Sequence, residues 1–371
     1  MKKSILTAVL IIIGVPVIVC FGMFMFRFAN VAVRANPVPV PVDVQPPQVY
    51  AENPINQLGA ELQVGEPYHY RNLSIFPVSN SSWTQSSRGF LTIDRAIQRG
   101  EVELKEKGYG EVNTVSVKNK GKSYVFGLAG DMIVGAKQDR MLQHDVLVPP
   151  HSGWLELEVY CTEHGRWHAQ TDNFGSIQRA VPSQLRAKAA QTESQSEVWA
   201  GVAEAKEALG DRAGTSALQS IYSDKKIEEK SRAYLDELLP VPRRSDKTVG
   251  ALIAIGNRLV CLDVFSDHQL FSDMWEKLLR SYVMDALSQP EQGSLSIADA
   301  RGFIRSLGQA DLDTRSTPGS GTLYRVRADE GSGSGLVFDD QVVHLDLFPD
   351  GAKIQPDRGP TPNLELRRGN R

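Results

Sequence analysis

The sequence predicts an α+β fold, an antiparallel sheet or sandwich with a helical middle, preceded by one N-terminal transmembrane helix. Three observations predict it. Residues 4–26 form an apolar run without a charge. Short runs of alternating apolar and polar residues, separated by Gly/Pro turns, fill 70–170 as half-buried strands should. Over 184–239 and again over 268–287 the apolar residues recur instead at helical spacing. The length of 371 residues allows two compact units or one large one with appendages. A balance of 41 basic against 44 acidic residues, net charge -3, excludes a basic nucleic-acid binder and an acidic tail alike. Three cysteines exclude a disulfide-dense scaffold.

As a helix, 4–26 covers about 34 Å at 1.5 Å per residue, enough to cross a hydrocarbon core of about 30 Å. Gly14 and Pro16 are tolerated in such a span. Lys2 and Lys3 also suit a cleaved signal peptide, but the apolar run exceeds that element's usual length of about 7 to 15 residues, which favours an uncleaved signal-anchor. Weighed against Arg27 and Arg34, the two lysines and the amino terminus place the amino end in the cytoplasm and the large domain outside. We therefore divide the chain into an anchor (1–35), a proline-rich spacer (36–67), an α+β domain (68–350, with candidate halves 68–183 and 184–350) and a disordered tail (351–371). The Pro/Val alternation of 36–48 makes an extended, semi-rigid spacer.

Within the domain, 73–78, 102–106, 112–118, 124–130, 132–135, 145–148 and 154–161 are predicted strands, with a short helix over 91–99 stopped by Gly100. Helices follow over 184–190, 193–209 and 216–239, the last stopped by Pro240. Residues 248–255 and 258–265 form a hairpin about Gly256-Asn257, and 268–287 an amphipathic helix. Helix 297–307 follows the cap-like Ser296. Two closing strands, 322–327 and 336–348, flank a glycine-rich loop at 330–335 that lacks the lysine and following helix of a phosphate loop.

The chemistry-bearing residues concentrate between 128 and 168. Gly130-Asp131 interrupts an apolar strand, Lys137, Gln138, Asp139 and Arg140 follow, and Cys161-Thr162-Glu163-His164-Gly165-Arg166-Trp167-His168 comes next. A metal site would use Cys161, Glu163, His164 and His168, with His144 or His151, yet the spacing matches no paired zinc knuckle. A nucleophilic site would use Cys161 with His164 or His168 as base. Cys161 shares strand parity with Leu155, Leu157 and Val159, however, and most simply points into the core. An anion site would use Lys137, Arg140 and Arg166, since arginine suits bidentate recognition of phosphate or carboxylate. The plainer reading is an internal Arg–Asp pair that ties two turns together.

The segment Leu128-Ala129-Gly130-Asp131-Met132-Ile133-Val134-Gly135-Ala136-Lys137-Gln138-Asp139-Arg140, with 146–150 and 161–167, resembles the ARG and rhodanese-phosphatase-superfamily-associated protein domain, where ARG denotes ADP-ribosylglycohydrolase. The likeness takes in 73–78, 91–100 and 195–199 and covers about 60–290. It implies a role near ADP-ribose or phosphoryl metabolism, without a mechanism. The family motif falls on Gln138, Asp139, Arg140, Glu163, Arg166 and Trp167, and Asp131 stands where the family leads us to expect glutamate.

The resulting expectation is a membrane-anchored ligand-binding or accessory domain that recognises an anionic, nucleotide-like or ADP-ribose-related group. Its candidate site is Asp131, Lys137, Gln138, Asp139, Arg140, Glu163, Arg166 and Trp167, with Cys161, His164 and His168 as weaker metal candidates. The alternatives are a hydrolase using Asp131, Asp139 or Glu163, and a purely structural interaction domain. The sequence specifies no cofactor. The partners it implies are a membrane, through residues 4–26, and a small anionic ligand; no nucleic acid is expected.

Overall fold

Arg258–Phe265 and Thr248–Ile255 form the central antiparallel hairpin, turning at Gly256-Asn257 as the sequence predicts. Every residue of Thr248–Ile255 is buried, because the sheet built on it is covered on both faces. Ala251, Ile253 and Ile255 pack with the apolar side of the helix His268–Leu287. Leu252 and Ala254, of the other parity, pack with the helices Pro54–Glu61 and Ile297–Arg305.

This computed structural model describes residues 53–80, 89–108, 111, 113–166, 170–289 and 293–350. The predicted span 4–26, the spacer through residue 52 and the tail lie outside the described residues, as do Trp167 and His168. Among the described residues no helix is long and apolar enough to cross a membrane. The fold is α+β with antiparallel sheets and helices.

Nine strands make the large sheet, in the order Leu62–Val64, Leu73–Asn80, Thr248–Ile255, Arg258–Phe265, Gln341–Pro349, Gly331–Phe338, Thr322–Ala328 and Asp311–Arg315, with Tyr68–Tyr70 also paired to Leu73–Asn80. Leu73–Asn80 thus pairs on one side with its sequence neighbours and on the other with Thr248–Ile255, which joins it to the carboxy-terminal strands. A second sheet of six strands runs Phe174–Ala180, Asp131–Gly135, Arg140–Leu142, Leu155–Cys161, Thr114–Asn119 and Val102–Glu106. A bridge between Lys105 and Asn173 brings its two edges together, so the sheet closes on itself around Leu104, Val115, Val117, Ile133, Leu142, Leu157 and Val159. Val146–Val148, Val125–Gly127 and Leu91–Thr92 form a three-stranded sheet whose last pair is parallel.

Three predicted elements change. The helix over 216–239 is two, Ser220–Ser223 and Lys225–Leu238, because Asp224 adopts extended backbone and its carboxylate accepts the amides of Lys226 and Ile227 as a new N-cap. The glycine-rich loop at 330–335 is instead the start of the strand Gly331–Phe338, paired on both sides. A β-carbon on Gly333 would stand 2.1 Å from the Asp346 carbonyl oxygen, and one on Gly331 would stand 2.5 Å from that of Phe348. Glycine here permits close strand approach. The single closing strand predicted over 336–348 is likewise two, divided at Asp339-Asp340, whose φ values of 50° and 58° suit a type I′ hairpin turn.

Gly333→Ala should therefore destabilise the domain by about 3 kcal/mol through forced strand separation. Gly214→Ala, where a β-carbon meets nothing within 4 Å, should change stability by less than about 0.5 kcal/mol. Denaturant unfolding of the two variants compares them directly.

Candidate functional site

Arg140 and Leu142 share one face of their strand, so the Arg140 guanidinium turns into one end of the closed sheet beside Leu142 and Val159. There Nη1 donates to Gln138 Oε1 at 2.9 Å and touches Cys161 Sγ, while Nη2 lies 3.6 Å from Glu106 Oε2. The turn after Cys161 delivers Arg166 to the same end. Its Nε donates to Glu163 Oε2 at 2.7 Å, Nη1 to the Ala136 carbonyl at 2.9 Å and Nη2 to Asp139 Oδ1 at 3.1 Å. The turns at 138 and 166 thus converge, and they converge on each other. Asp139 and Arg140 are fully buried, and Gln138 and Glu163 are only 4% and 6% exposed. Lys137 is half-buried, and its backbone amide donates to Glu106.

Asp131 stands elsewhere. Lys277, on the helix His268–Leu287, binds its Oδ1 at 2.5 Å and Asp94 Oδ2 at 2.7 Å. Burial pushes the Asp131 carboxyl up to about 6, against the pull of Lys277. Burial likewise pushes the Cys161 thiol up to about 11, so it is protonated at neutral pH and poorly nucleophilic. His164 is exposed and meets Trp199 edge-on at 4.6 Å. Among the described residues no three His, Cys, Asp or Glu side chains are grouped to hold a metal ion.

Sequence reasoning missed the most heavily charged part of the interior. Arg186, from the helix Ser183–Thr192, donates to both oxygens of Asp263 at 3.1 and 2.6 Å and reaches Asp346 Oδ2 at 3.3 Å. Tyr282 donates to Asp263 Oδ2 at 2.6 Å. His344 lies between Asp145 (Nδ1, 2.6 Å) and Asp263 (Nε2, 3.2 Å). With a carboxylate at each ring nitrogen, both nitrogens must donate, which only the imidazolium can do. Burial alone would lower the His344 pKa; Asp145 and Asp263 outweigh it and raise it to about 10. Burial would raise Asp263, but Arg186 and His344 hold it well below the usual carboxylate range. The available signal was the insertion of Asp263, His344 and Asp346 into otherwise apolar strands.

Above this network runs an open groove of about 730 Å³, lined by Thr192, Glu193, Arg325, Arg327, Gly333 and Asp350. A small chamber of about 40 Å³ shares Glu193, Arg325 and Gly333 with it and is lined by Arg186, Arg315 and Asp346. Glu193, left-handed at φ 49° just past the end of its helix, accepts hydrogen bonds from both Arg315 and Arg325. Arg325 faces Asp313 directly across the strand pair, yet turns to Glu193 and leaves Asp313 to Arg327 at 2.5 Å. The groove and chamber linings include none of residues 135–140 or 161–166.

A model of the ARG and Rhodanese-Phosphatase-superfamily-associated Protein domain matches residues 61–348, a span that includes strands of both large sheets from first to last. The chain belongs to this family. The match reaches past the resemblance at 60–290 to include the strands that carry Arg315, Arg325, His344 and Asp346. No curated protein and no solved structure matches the chain.

The His344 pair sets a pH dependence for this family member. Its folded pKa is raised, so its stabilisation is complete below the unfolded value of 6.5 and is lost as pH rises towards about 10. Stability should fall across that window with a slope of up to about 1.4 kcal/mol per pH unit. Chemical unfolding at stepped pH should show the fall in the wild type, and His344→Gln should lack it.

Proposed function

We propose that the domain is a ligand-binding or accessory module that recognises a small anionic group, nucleotide-like or related to ADP-ribose, in the groove lined by Arg325 and Arg327. The observation that carries this reading is the convergence of Arg315 and Arg325 on one carboxylate, Glu193. Two guanidinium groups share a single negative charge at the wall of an open groove. A phosphate entering there gains charge-assisted, bidentate hydrogen bonds from groups already gathered. Arg140 and Arg166, by contrast, are spent inside the closed sheet on Gln138, Asp139 and Glu163. They act as a plug that holds the two turns together. The hydrolase alternative needs Asp131, Asp139 or Glu163 to reach substrate, and each is at most 6% exposed.

Thermal shift of the full-length protein with ADP-ribose and with inorganic phosphate tests the reading, since any ligand of the native state raises the melting point. We expect stabilisation by ADP-ribose, with affinity reduced about tenfold or more in Arg325→Ala, because hydrogen bonds to charged groups contribute about 1.5–3 kcal/mol. Arg166→Ala should instead lower the melting point without ligand, because it strands buried Asp139 and Glu163 at a cost of about 3–5 kcal/mol. Absence of any shift at millimolar ADP-ribose and phosphate would defeat the proposal.

We further propose that residues 4–26 hold the chain in a membrane as a single pass, with the domain on the non-cytoplasmic side. The charge-free length of that run supports this. Alkaline phosphatase fused after Arg371, active only outside the reducing cytoplasm, should be active; a silent fusion beside an active cytoplasmic reporter reverses the sidedness.

A further inference from the structure

A second cavity, of about 700 Å³, opens where the helices Ser183–Thr192, Gln195–Leu209 and His268–Leu287 meet. Its size falls within the range of small-molecule sites, about 300–1,000 Å³. It shares no lining residue with the arginine groove. Gly201 lets two of the helices approach, since a β-carbon there would stand 2.7 Å from Leu185 Cδ1. Leu185, Ala205, Leu209 and Met284 supply apolar wall.

Two charged groups of this cavity are incompletely used. Asp285 is 3% exposed, and its Oδ2 takes the amides of Ser183 and Gln184 and the Ser183 hydroxyl. Its Oδ1 accepts nothing among the described residues, and no cation is paired with it. Burial pushes this carboxyl up to about 7. Oδ1 is not sealed in the interior, so a ligand N–H entering the cavity can reach it and form a charge-assisted hydrogen bond. Arg258, also on the lining and exposed, has neither hydrogen bond nor ion pair among the described residues. The remaining charges, Lys188 and Glu204, pair with each other at 3.1 Å.

We propose that this cavity binds a small zwitterion with an apolar body, of the amino-acid type, its ammonium on Asp285 Oδ1, its carboxylate on Arg258 and its side chain on the apolar wall. This assignment is independent of the arginine groove.

Isothermal titration of the full-length protein with L-phenylalanine, phenethylamine and 3-phenylpropionate tests it. Phenylalanine should bind saturably, and each single-ended analogue at least tenfold more weakly. Arg258→Gln, a surface change that spares the fold, should weaken phenylalanine and leave phenethylamine unaltered. Asp285→Asn, which keeps an acceptor for Ser183, should weaken phenylalanine and leave 3-phenylpropionate unaltered. Ala205→Phe should fill the space and abolish binding while the circular dichroism spectrum stays native. Lack of saturation by phenylalanine up to 10 mM, equal binding of all three compounds, or wild-type affinity in folded Arg258→Gln and Ala205→Phe would each overturn the proposal.

Discussion

Arg186 is the residue on which the rest of the structure leans. Its guanidinium is fully buried and joins a helix to two strands through Asp263 and Asp346. Desolvating such a group costs several kcal/mol, and its ion pairs offset that cost. Both carboxylates reach it only when Arg258–Phe265 and Gln341–Pro349 are in register, since Asp263 and Asp346 are direct cross-strand partners. Two like charges placed opposite each other would repel. Arg186 between them converts that repulsion into a constraint, so the correct register is also the electrostatically tolerable one. Asp346 Oδ1 then accepts the Ser334 amide at 2.7 Å and fixes the glycine-rich strand as well.

A neighbouring ion pair ties the three-stranded sheet to the large one. Asp145, beside the strand Val146–Val148, accepts the Ala129 amide at 2.8 Å and also holds His344 of the large sheet. The charged groups are thus inserted into an interior otherwise made of buried apolar side chains. Asp145, Asp263 and Asp346 each face a cation, and the Asp94–Lys277–Asp131 group repeats the principle on the helix His268–Leu287. Charged residues deep in this fold are therefore weak evidence for chemistry by themselves, and accessibility is what separates a site from a strut.

Much of this organisation was legible in the sequence, and the failures have physical causes. The central hairpin and the long helix were clear because their apolar periodicities are strong and their turns carry Gly-Asn or a cap. The 138–166 cluster was legible as a cluster, because its residues lie on two short turns of adjacent strands. Its burial was not, since nothing local distinguishes an arginine pointing into a closed sheet from one pointing out. The strand Gly331–Phe338 was hidden for a related reason. Alternating Gly and Ser carry no apolar signal, and only the backbone of Asp346 and Phe348 pressing against them explains the composition. The groove lay beyond reach because it joins Glu193 to Arg315 and Arg325 across more than a hundred positions of chain.

The arginines of the groove have a competing explanation, because charged side chains on Asp311–Arg315 also protect the edge of the large sheet from pairing with another chain. Edge protection requires charge on the strand, and cross-strand pairs within Asp311–Arg315 and Thr322–Ala328 would supply it. It does not require Arg325 to forgo Asp313 directly opposite and reach an acid on a different element. Nor does it call for a left-handed Glu193, a backbone position that a residue with a β-carbon adopts at some cost. That geometry draws two guanidinium groups together over a chamber floored by Arg186 and Asp346. A surface shaped only to repel strands would spread its charges apart; this one concentrates them where a small anion has room to enter.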